Sequence, residues 1–89
     1  MIINKIRKNL KVALENTIYN RDYKLIETYI VGRNIESAYE VMKSIYMKEY
    51  KKPLGDRIGT YSRLKSVANQ LEAYYEQTIY ESSTEEFDE

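Results

Sequence analysis

The chain has 89 residues, and the side chains that most often perform chemistry near neutral pH are missing from it, with no Cys and no His. Imidazole acid–base catalysis, thiolate nucleophiles, disulfide frameworks and Cys-containing zinc sites are thereby excluded. What remains is carboxylate pairs and one glycine-flanked loop. Glu36 and Glu40 stand four residues apart, as do Glu72 and Glu76. Acids at that spacing share one helix face, but without a histidine they do not make the Glu-x-x-His metal motif, and they are commonplace on solvated helices. Gly55-Asp56-Arg57-Ile58-Gly59 matches neither a phosphate-binding loop nor a dinucleotide fingerprint. It reads as the approach to a helix, with Asp56 as N-cap. No catalytic residue, metal or cofactor is expected, and the chain reads as a non-enzyme.

Binding chemistry is better supplied. Ten tyrosines stand against one Phe and no Trp. Tyrosine buries a large area with few rotors and keeps a polar tip, which favours it at protein interfaces. Lys5, Arg7, Lys8 and Lys11 form a basic cluster with no acid among the first eleven residues. Such a face could neutralise phosphates, and nearby tyrosines could stack on bases. The opposite sign collects at the other end: Glu81, Glu85, Glu86, Asp88 and Glu89 lie in a stretch without a base. The formal charge is zero, yet residues 1–80 hold fourteen bases against nine acids.

Helical spacing positions these groups. Ile3, Ile6, Leu10, Ala13, Leu14, Thr17 and Ile18 recur at three- and four-residue steps and predict a first helix with its bases mostly on the wet face. Asn20-Arg21-Asp22 breaks that pattern, and Asn20 or Asp22 is a candidate N-cap. A short second helix carries Tyr23, Ile26, Tyr29 and Ile30 and stops at Gly32, the expected C′ residue. Asn34 caps a third, with Ile35, Ala38, Tyr39, Met42, Ile45 and Tyr46 on its stripe. Pro53 and Gly55 end it. The last helix starts between Asp56 and Ser62, and Tyr61, Leu64, Ala68, Leu71, Tyr75 and Thr78 give it a heptad-like seam. Strand and hairpin signals are absent.

The expectation is an all-α fold: a small bundle of three long helices plus one short helix in residues 1–80, followed by a disordered acidic tail, 81–89. The last helix should overhang its neighbours. Its overhang holds Tyr74, Tyr75, Ile79 and Tyr80, and one of the adjacent pair Tyr74 and Tyr75 should look outward or into a partner because they sit about 100° apart. Exposed aromatics rimmed by charge mark a protein interface. These four are the candidate partner interface, for a larger protein or for a second copy in a homodimer.

The expected function is a small cytoplasmic protein-binding regulator or inhibitor that occludes a larger partner, in the manner of antitoxins, immunity proteins and phage-encoded inhibitors. Ile, Lys, Asn and Tyr make up 35 of the 89 residues, a usage that suits an A/T-rich phage, plasmid or low-GC bacterial genome. The alternative is a nucleic-acid or nucleotide binder using Lys5, Arg7, Lys8 and Lys11. A helix-turn-helix over 22–46 would present Glu36 and Glu40 to phosphate, which disfavours it. No stretch is apolar enough for a secretory leader or a membrane span, so cytoplasmic placement is expected.

Overall fold

A computed structural model describes the backbone of residues 2–87 and the side chains of residues 2–80. Helix α1, Ile2–Leu14, buries Ile6, Leu10, Ala13 and Leu14. It stops short of Thr17 and Ile18, where the apolar stripe in the sequence ends. The Thr17 hydroxyl donates to the Leu14 carbonyl at 2.8 Å and accepts from the Tyr19 N–H at 3.1 Å. These local side-chain bonds replace helical ones and turn the chain. Ile18 is therefore 78% exposed, and Tyr19, which lies off the predicted stripes, is only 3% exposed and part of the core.

Helix α2, Asn20–Val31, buries Ile26 and Ile30. Neither Asn20 nor Asp22 caps it: both lie inside the helix, and the residue before it, Tyr19, makes no side-chain capping bond. At the far end Gly32 does not take the left-handed conformation expected of a C′ residue; its φ is −79°, and Arg33 has φ 62° instead. The Arg33 N–H bonds the Ile30 carbonyl at 3.0 Å and the Asn34 N–H bonds that of Tyr29 at 2.8 Å, a Schellman closure. Asn34 also accepts from the Ser37 N–H at 3.2 Å and caps α3, Ile35–Tyr50. Because one residue closes α2 and opens α3, the left-handed turn falls immediately before it, on Arg33.

A single 3₁₀ turn, Leu54–Asp56, follows, and α4 runs from Tyr61 to Phe87. Asp56 thus belongs to the turn and does not cap α4. The expected disordered acidic tail, 81–89, lies outside the described side chains. α1 packs on α4, α4 on α3 and α3 on α2, with a smaller contact between α1 and α2 closing the ring. The core runs through all four helices, with Leu10, Leu14, Ile26, Met42, Leu64 and Leu71 fully buried. The chain is thus an all-helical bundle of three longer helices and a shorter one. No strand occurs among the described residues, and no helix there is long and apolar enough to cross a membrane.

At 1.5 Å per residue α4 is about 40 Å long, α1 about 20 Å and α3 about 24 Å. The molecule measures 51 × 23 × 19 Å. Burial along α4 ends at Leu71, half-burial continues through Tyr74, Tyr75 and Thr78, and Ile79 and Tyr80 are exposed. Along the described side chains of α4, continuous exposure begins at Ile79.

Candidate interaction surface

The two ends of the bundle differ chemically. One is tied shut by Glu49. The α3 stripe Ile35, Ala38, Met42, Ile45 steps by three and four, and its next position is Glu49, which is fully buried. One carboxylate oxygen accepts from the Lys52 ammonium at 2.6 Å and from the Tyr19 hydroxyl; the other accepts from the Ile58 N–H at 2.9 Å. Burial alone would raise the Glu49 pKa, but these three donors together hold it below the ordinary glutamate value. The Tyr19 hydroxyl is pushed up, first by burial and then by its bond to Glu49.

Arg57, from the glycine-flanked loop, completes this end. Its guanidinium donates to the carbonyls of Glu49, Lys52 and Tyr50 at 3.2, 3.2 and 2.8 Å, satisfying the last turn of α3. It lies 4.5 Å from the Tyr61 ring and 5.5 Å from Tyr50. Arg57 thereby ties the loop to the end of α3.

The opposite end is open. Tyr74 is half-buried and forms the wall shared by two clefts. One, of about 260 Å³, runs between α1 and α4 and is lined by Ile2, Lys5, Ile6, Ala73 and Tyr74. The other, of about 530 Å³, lies among Ile3, Arg7, Val31, Arg33, Ile35 and Tyr74. Ile2 is 62% exposed, Val31 63%, Ile79 47% and Tyr80 72%, all beside these clefts or on the overhang.

Of the four expected interface residues, only Ile79 and Tyr80 stand out in solvent. Tyr74 and Tyr75 are both half-buried. α4 sits between α1 and α3, so the angle between adjacent residues sends Tyr74 toward α1 and Tyr75 toward α3, where it stacks on Tyr39 with ring centroids 5.3 Å apart. Burial and then the carboxylates Glu36 and Glu40 hold the Tyr75 hydroxyl protonated; burial, Glu72 and Glu76 act in the same sense on Tyr39. The two acid pairs therefore flank a tyrosine stack. Among the described residues, no group of acids is arranged to hold a metal ion.

The basic cluster is divided. Arg7 turns toward α2, where its Nε donates to Glu27 at 2.7 Å, and Nη2 bonds the same oxygen. The other Glu27 oxygen is buried without a hydrogen-bond partner among the described residues. Lys11 stands 3.7 Å from Glu15, one helical turn on. Lys5 and Lys8 are exposed and make no ion pair among the described residues. No protein-family model, curated protein or solved structure matches the chain.

Proposed function

We propose that this chain is a small, non-enzymatic protein-binding regulator or inhibitor that occludes a larger partner, and that it docks through the open end of the bundle. The observation that carries this reading is the gathering of exposed Ile2, Val31, Ile79 and Tyr80 around two apolar clefts that share the half-buried Tyr74. Large apolar groups next to a concave surface, with cations at the rim, are what a protein interface needs at its centre and edge. The absence of Cys and His supports a role without catalysis. The phosphate-binding alternative is weakened by Arg7, whose guanidinium is engaged by Glu27.

Affinity capture from a cell extract tests the reading. The full chain should retain its partner at both about 50 and about 200 mM salt, whereas phosphate-driven binding falls steeply over that range. The double variant Ile79→Asp, Tyr80→Asp should lose the partner, and Lys5→Gln, Lys8→Gln should keep it. Since Ile79 and Tyr80 lie beyond the packed core, circular dichroism should show both variants folded. Capture that survives the first variant and is abolished by the second overturns the proposal.

A further inference from the structure

We infer that the open end is also where two copies of this chain meet, stacked end to end, with the acidic stretch of each running along the cationic rim of the other. This rests on the reading of that end as a docking surface and names a second copy as an occupant; a larger partner then competes with self-association.

The argument starts from shape. The bundle end is a floor made by Ile3, Val31, Ile35 and Tyr74, and α4 rises past it as a wall carrying Thr78 and Ile79. A floor with a wall on one side is self-complementary under a two-fold axis: the wall of one copy passes the floor edge of the other. Each copy then covers the apolar step that the other leaves open.

Charge selects the same arrangement. Arg33 and Arg7 line the floor cleft and Lys5 lines its neighbour. Arg33 is exposed and makes no ion pair among the described residues. Five acids and no base lie in residues 81–89, directly after the wall. α4 continues through Phe87, about 20 Å beyond Tyr74, so the helix axis carries the backbone of residues 81–87 away from its own floor. In the two-fold arrangement it runs back over the second copy, toward Arg33 of the α2–α3 turn, which has no ion pair among the described residues. A neutral chain divided into a basic body and an acidic end is thus matched to itself.

Sedimentation velocity with a charge swap tests this. The full chain should pass from its 10.6 kDa monomer to about twice that mass as concentration rises to about 100 µM, with added salt weakening the dimer. Arg33→Glu alone, and Glu85→Arg with Glu86→Arg alone, should each weaken dimerisation about tenfold or more. Mixing the two variants should restore it, because the unaltered acidic stretch of one then faces Arg33 of the other, and the arginines placed at 85 and 86 face the glutamate placed at 33. Ile79→Asp should leave a folded monomer.

A mass that stays at the monomer value throughout overturns the inference, as does a dimer indifferent to Ile79→Asp or a mixture that fails to recover. If the chain is monomeric yet Ile79→Asp and Tyr80→Asp still abolish capture of a partner, self-association fails and the docking surface stands. If the dimer forms and capture is indifferent to those substitutions, the reverse holds.

Discussion

The hydroxyl of Tyr19 donates to the carboxylate of Glu49, joining the α1–α2 turn to the last turn of α3 across thirty residues of sequence. Both groups are inside the protein, where an unpaired charge is costly and a fully bonded one is tolerated. Removing either partner strands the other. Glu49→Ala should cost about 2–4 kcal/mol, leaving the Tyr19 hydroxyl and the Ile58 N–H unsatisfied, and Tyr19→Phe about 1–2 kcal/mol. Urea unfolding of the two single variants and the double should show coupling of about 1 kcal/mol. Additive losses would show that the pair does not act as a unit.

Acid should weaken this end first. A carboxylate whose folded pKa lies below its unfolded value stabilises the protein above the unfolded value and loses that contribution as pH falls through the folded one. Glu49 is such a group, with an ordinary value of 4.5. The melting temperature should therefore fall below about pH 4.5, and fall less steeply in Glu49→Gln.

Alkali acts on Tyr19. A phenol whose folded pKa is raised keeps its stabilising contribution below the unfolded value of 10.0 and loses it as pH climbs toward the folded value. Stability should decline above about pH 10, and Tyr19→Phe should blunt that decline. It should not abolish it, because Tyr39, Tyr61 and Tyr75 are held protonated too, in each case chiefly by burial.

Arg33 holds a left-handed conformation that glycine adopts without strain. Arg33→Gly should raise stability by about 1 kcal/mol, or roughly 4–8 °C in melting temperature for a domain of this size. Asn34→Ala should lower it by about as much through loss of the α3 cap. Gly32→Ala should be tolerated, since the nearest atom to an added Cβ is the Thr28 carbonyl oxygen at 3.4 Å.

The early end of α1 can be read from two apolar residues four positions apart. Leu14 is fully buried and Ile18 largely exposed. Leu14→Ala should cost about 2–5 kcal/mol, whereas Ile18→Ser should stay within about 0.5 kcal/mol. Equal losses in thermal melts would mean that the helix continues through Ile18.

The bundle was legible because its stripes are local: Ile6, Leu10 and Leu14 declare a helix face by spacing alone, and so do Leu64, Ala68 and Leu71. The Asn34 cap was legible for the same reason. Glu49 was not, although the α3 spacing lands on it, because an acid is read as wet until donors from other segments are known. Those donors come from the α1–α2 turn, from Lys52 and from the loop before α4. Tyr19 escaped with it, since one threonine side chain redirects the backbone between Leu14 and Tyr19. At the open end the overhang followed from helix lengths, but the half-burial of Tyr74 and Tyr75 depended on which helices flank α4.

The pairing of α1 with α4 sets the order in which the protein can be made. A polypeptide emerging from the ribosome presents its first helix long before the last one appears, and α1 has only a slight contact with α2 to shelter it meanwhile. Ile6, Leu10 and Leu14 share their core with Leu64, Val67, Ala68 and Leu71, about fifty residues further along the chain. Closing the bundle therefore joins segments from opposite ends of the sequence, and the contact between α1 and α4 is among the most non-local in the fold.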